Sequence, residues 1–216
     1  MSAAIVRFAI ATLSAIVPLG LAHAHHAGGA GNTSGAGPIN TISASTLEAG
    51  HAVAGVTIDY TSLNTLADST LVNAAASGID GVHGLKTLQS YSLVAAYGLT
   101  NNLMLSARLP WVNRTGIAAA ERHASTNVIE VLDHGAADGV GDISVQGQYR
   151  FIKFGTFEAA ALLGVTAPTG PTNRRSRQDE LLDAEFQPGS GAWAGSLGLA
   201  LTHRAGAWSF DANVMY

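Results

Sequence analysis

Cysteine is absent from the 216 residues, which excludes a disulfide framework, thiol catalysis and Cys-ligated zinc. Charge is scarce too. Asp, Glu, Lys and Arg make up 12% of the chain, about half the share of an ordinary soluble domain. With a net charge of −4 and no Lys/Arg cluster, there is no electrostatic footprint for nucleic acid, and no such partner is expected. Beyond residue 24 no run is long and apolar enough for a transmembrane helix, yet the mean hydropathy is +0.23. The apolar residues are therefore dispersed rather than blocked, in a chain long enough for one domain.

The N-terminus reads as a secretory signal. Arg7 supplies the positive segment, FAIATLSAIVPLGL (8–21) the apolar one, and Ala22-His23-Ala24 a small-x-small site. Residues 1–24 are thus expected to be a signal peptide cleaved after Ala24. A retained anchor is the alternative, but the apolar segment is short and broken by Pro18 and Gly20. Residues 25–50 form a Gly/Ala-rich lead-in, whose first part (HHAGGAGNTSGAG, 25–37) has no periodicity and reads as flexible.

From about His51 apolar and polar residues alternate. In SYSLVAAYGL (90–99), Tyr91, Leu93, Ala95, Tyr97 and Leu99 share one face. In 142–151, Ile143, Val145, Gly147, Tyr149 and Phe151 oppose Asp142, Ser144, Gln146, Gln148 and Arg150. The same division holds for 52–60, 103–111, 157–167, 193–201 and 208–216. About seven strands of roughly ten residues result, near the length that a tilted strand needs to cross a bilayer.

A soluble sandwich also alternates. Against it stand the strand length, above the usual five or six or so, and the aromatic residues at the ends of the apolar faces. Tyr60, Tyr91, Trp111, Phe157, Trp193 and Trp208 lie where interfacial girdles belong. The opposite face is small and polar, without the Lys/Glu coat of a soluble sheet. The expected fold is all-β: an antiparallel up-and-down transmembrane β-barrel. It occupies 51–216 and is incomplete, because a single-chain bacterial barrel has an even strand number.

Connections alternate in length. Residues 61–87, 113–139 and 170–191 are long; 100–102, 153–155 and 204–206 are tight turns. An exported N-terminus in the periplasm then places every long loop outside the cell. The expected location is the outer membrane of a Gram-negative bacterium. The loop 170–191, with Arg174, Arg175, Arg177, Asp179, Glu180, Asp183 and Glu185, reads as a solvated mixed-sign surface.

GPINTISASTLEAG (37–50), GVGDISVQGQYRF (139–151) and the APTG and QPGSGAW segments (within 167–193) resemble an outer-membrane family named for the meta-pathway of phenol degradation. The resemblance runs from about Gly37 to the last residue. It implies a barrel-shaped channel or transporter, for aromatic or other hydrophobic compounds. It also implies a longer barrel, so the chain is expected to be truncated after Tyr216. The alternative takes residues 38–47 as an eighth, closing strand, although Ile39 and Ile42 would then fall on opposite faces.

Alternation assigns Asp59, Arg108, Asp142, Gln146, Arg150, Glu158 and Asp211 to the lumen. They are candidates for lining a permeation path and setting its selectivity. In a narrow barrel the same groups would instead pair and fill the interior. His25 and His26, beside a new amino terminus, are a weak candidate for Cu(II). The other histidines are scattered without metal-ligand spacing, although His123 and His134 share a loop with Glu121 and Asp133. No nucleophile elbow and no phosphate loop is present, so no enzyme activity and no cofactor is expected. The expected partners are outer-membrane lipid, a small-molecule solute and the barrel-insertion machinery. Besides a channel, two readings stay open: a filled barrel acting through its long loops, and copper handling by the N-terminus.

Overall fold

The computed structural model describes residues 9–15 (backbone only), 41–79, 82–122 and 126–216. The cleavage site, His25, His26, the flexible segment 25–37 and His123 lie outside the described residues. The strands are β1 (Ala9–Ala15), β2 (Ala52–Ser62), β3 (His83–Gly84), β4 (Thr87–Thr100) and β5 (Leu103–Arg122). They continue with β6 (Ile129–Val140), β7 (Ile143–Phe154), β8 (Phe157–Ala167), β9 (Ala194–Ala205) and β10 (Trp208–Met215). One helix, α1 (Asp68–Ala76), and one 3-10 turn (Ala184–Phe186) complete the elements.

The strands form one antiparallel sheet in the order β1-β2-β4-β5-β7-β8-β9-β10, with β3 and β6 attached to β5. The sheet curls into a half-barrel. All seven strands expected from the alternation are present, as β2, β4, β5, β7, β8, β9 and β10. No helix among the described residues is long and apolar enough to cross a membrane.

The pleat sorts the side chains as the period of two requires. Leu93, Tyr97, Leu105, Tyr149, Leu163, Leu197 and Leu199 point outward and are exposed. Their neighbours in sequence, Ser92, Ala96, Met104, Gln148, Leu162 and Ala200, are buried on the concave face. Aromatic rings flank the aliphatic outer band. Tyr91 pairs with Trp111 in register at the long-loop end; Phe154 pairs with Phe157 at the short-turn end, near Trp208. At about 3.3 Å per residue, the twelve residues of β9 run about 36 Å, or about 28 Å along a barrel axis tilted near 40°. That length matches an apolar band of about 25 Å. A contiguous apolar face of this extent does not suit a water-facing surface; the fold is compatible with an outer-membrane barrel.

The tight turns behave as expected. Gly155 and Gly206, with φ of 57° and 63°, close the β7–β8 and β9–β10 hairpins. The long connections differ from expectation. Residues 113–139 are not a free loop: β5 continues to Arg122 and pairs with β6 to make a long hairpin. β5 thus has two successive neighbours, β6 along Trp111–Arg122 and β7 along Leu103–Arg108. The switch occurs at Pro110, whose carbonyl accepts the Gly141 N–H at 2.8 Å. Residues 63–86 contain α1 and β3. The loop 170–191 exposes its charges at Arg175, Arg177 and Asp179, yet it is anchored: Leu182 and Phe186 pack on Ile117 and Ala137 of the hairpin.

A second difference lies at the N-terminal side. Residues 41–48 form no strand, so their described part does not supply an eighth strand. Instead the chain from Ser43 to Leu47 is buried, far from a lead-in in solvent. It runs across the concave face as a strap.

Candidate functional site: the lumenal face and its strap

Near the long-loop end of the concave face, Arg108 reaches across three strands. Its Nε donates to Ser92 Oγ at 2.8 Å, and Nη2 lies 3.3 Å from Asp59 Oδ2 and 3.4 Å from Ser90 Oγ. Both charged side chains are about two-fifths exposed. They hold each other while remaining open to solvent or solute. Gln146 stands half-buried on β7, on the same face as Gln148.

At the short-turn half Arg150 and Glu158 are buried. Glu158, 3% exposed, is the centre: Arg150 Nη1 lies 3.2 Å from one carboxylate oxygen and Arg204 Nη1 3.4 Å from the other. Arg150 also donates to the Asn101 carbonyl and to Asn102 Oδ1. Two guanidiniums around one buried carboxylate are tolerable only with further hydrogen bonds to share the charge. The strap provides them: Ser45 Oγ donates to Glu158 at 2.6 Å and accepts from Arg204.

The rest of the strap is held the same way. Gln148 Nε2 donates to the carbonyls of Ser43 and Ser45 at 2.9 and 2.8 Å. Thr202 Oγ1 donates to Asp211 and accepts from the Ala44 N–H at 2.8 Å. Asn213 Oδ1 accepts from the Ile42 N–H, and Thr46 Oγ1 donates to the Asn101 carbonyl. Ala44 packs in an apolar, buried cluster with Ala160, Leu162 and Ala200. Small side chains make this approach feasible. At Gly98 the strap passes so close that an added Cβ would overlap the backbone of Glu48 and Leu47.

Asp142 lies just ahead of β7, at the long-loop rim. It accepts from the Gly170 N–H at 2.9 Å, the Ser190 N–H at 2.8 Å and Ser190 Oγ at 2.6 Å, pinning both ends of the loop 170–191. Desolvation pushes its carboxyl up, but these hydrogen bonds together outweigh it and hold the group below the usual carboxylate range.

The structure therefore brings Arg150, Glu158 and Asp211 into one network, pairs Asp59 with Arg108, and sets Asp142 apart as a loop brace. Sequence reading missed Thr202, Arg204 and Asn213, which continue the lumenal alternation of β9 and β10. It also missed the strap residues Ser43, Ser45 and Thr46. Among the described residues no group of side chains is arranged to hold a metal ion.

No curated protein and no solved structure matches the chain. A family model does, over residues 91–216, from within β4 to the last residue. The match takes in two of the three segments that carry the resemblance in sequence; residues 37–50 precede it. That match covers most of β4 and the strands β5 to β10 of the half-barrel; the strap and β2 precede it. The chain belongs to the family described as Putative MetA-pathway of phenol degradation.

Proposed function

We propose that this protein is an outer-membrane channel for small hydrophobic solutes, aromatic ones included, with its passage governed by the strap. The observation that carries the reading is the asymmetry of the two faces, apolar outside and polar inside, along the same seven strands. In this reading the signal sequence is removed after Ala24, taking β1 with it, and the barrel-insertion machinery seats the strands. The strap side is then periplasmic and the long connections face the cell exterior. Asp59, Arg108 and Gln146 line the open half of the lumen, while Arg150, Glu158 and Asp211 hold the half that the strap fills.

Planar-bilayer conductance and liposome uptake of a small aromatic solute test this with the full chain. Gly98→Val should push the strap off β4 and raise conductance and uptake several-fold, since the strap's backbone has no flexible end that can yield. No conductance and no uptake by either protein would end the channel reading. It would leave the second reading, a filled barrel that acts through its long loops, which the buried strap favours.

A further inference from the structure

At the long-loop end, α1, β3, β5, β6 and the loop 170–191 enclose a cavity of about 660 Å³ that shares no lining residue with the lumenal network. Its volume is that of a small-molecule site rather than a packing defect. Its charge is one-sided. Glu121, Glu180 and Asp183 line it against one cation, Arg122, which already donates to Asn127 Oδ1 at 3.0 Å. The floor is apolar: Ile117, Ala119, Leu182 and Phe186 are at most 7% exposed.

Two histidines of the lining add further acceptors. His83 on β3 pairs with Ala119, and His134 follows Asp133 on β6, the partner of Ala118, so β5 runs between them. Strands two apart in a sheet are separated by about 10 Å. His134, 8% exposed, places Nε2 3.1 Å from Glu121 Oε1, and His83 places Nε2 3.1 Å from Asp183 Oδ2. A carboxylate can only accept, so in each neutral ring Nε2 carries the proton and Nδ1 is left as an acceptor. Both Nδ1 atoms are buried, and neither has a hydrogen-bond partner. His83 Nδ1 even faces another acceptor, Glu185 Oε1, at 3.2 Å. Buried acceptors need donors, and here two sets of them share one cavity. A single ion does not serve both: among the described residues no three such side chains converge on a metal position.

We propose that this cavity binds an aliphatic diammonium. One ammonium donates to His134 Nδ1 and Glu121, the other to His83 Nδ1 and the carboxylates beside it. The methylene chain between them covers Ile117, Ala119 and Leu182. Each ammonium brings three donors and no acceptor, the complement of what the lining offers, and the two charges offset its acidic excess. The site does not depend on the channel reading, because binding to it requires no permeation.

The test uses the full chain, folded in a non-ionic detergent near pH 8, where alkylamines keep their charge. It is titrated calorimetrically with 1,5-diaminopentane and with pentylamine, which differ by one ammonium. The diamine should saturate one site and bind at least about tenfold more tightly than pentylamine, the weight of one charge-assisted hydrogen bond. His134→Phe should bring the diamine down to the level of pentylamine. Glu180→Gln, at an exposed position that does not burden folding, should weaken the diamine several-fold, whereas Asp179→Asn, outside the lining, should change nothing. Equal binding of the two amines, or a preference that survives both His134→Phe and Glu180→Gln, would overturn the proposal. So would ¹⁵N-histidine spectra of the free protein in which His134 carries protons on both nitrogens, since no acceptor is then left there.

Discussion

Glu158→Ala is expected to lower the unfolding free energy by about 3–5 kcal/mol, the cost of leaving a buried charge without its partner. Arg150, 7% exposed at its side chain, would keep a guanidinium inside with its main counter-charge gone. The strap loses its Ser45 anchor in the same step. Asp59→Ala provides the contrast. That carboxylate and Arg108 are about two-fifths exposed, so their pair is worth under about 1 kcal/mol. Urea unfolding in lipid vesicles, followed by the mobility difference between heated and unheated samples, separates the two variants. Similar costs for both would show that Glu158 is not the buried centre of the lumenal network.

Leu163→Arg should destabilise the protein by about 2–4 kcal/mol in a bilayer, the range for an arginine on the lipid face at the midplane. Leu163 is mid-strand on β8, opposite Gly147 and Leu197, and 65% exposed on the outer face. Phe154→Arg, near the short-turn end and 83% exposed, should cost about 0–1 kcal/mol by the same depth rule. On a protein whose outer face met water, both changes would fall within about 0.5 kcal/mol of neutral. Vesicle unfolding experiments on the two variants therefore report depth, not merely stability.

The seven barrel strands were legible because their signal is local. One face meets an apolar medium and the other does not, so every second residue between Tyr91 and Leu99, or between Ile143 and Phe151, declares its side. The β5–β6 hairpin was not legible, for two physical reasons. Past Trp111 both faces of the hairpin meet water or loop, so the apolar alternation fades. The register also slips beside Gly116 and again at Gly135, both at positive φ, and each slip inverts the phase of the residues downstream of it. Residues rich in Gly, Asp and Asn then read as loop.

The strap was illegible for a different reason. Most of its partners lie over a hundred residues away: Ser45 meets Glu158, Ala44 meets Thr202 and Ile42 meets Asn213, while Thr46 meets Asn101, 55 residues on. Its one local signal is the run of small residues from Ser43 to Thr46 just before the first barrel strand. Such side chains let a backbone lie flat on a sheet. The lumenal candidates themselves were readable, since facing inward follows from the alternation. Which of them would be buried and which open followed only from the strap's path.

The three tryptophans offer the most direct measurement, because they sit on the outer face at both ends of the apolar band. Trp111 and Trp193 are at the long-loop end and Trp208 is at the short-turn end, from 45% to 72% exposed. In vesicles containing lipids brominated at graded depths, their fluorescence should be blue-shifted and quenched most by bromines near the headgroups. Emission at the wavelength of water-exposed indole, unquenched at every depth, would contradict a barrel whose apolar face meets lipid.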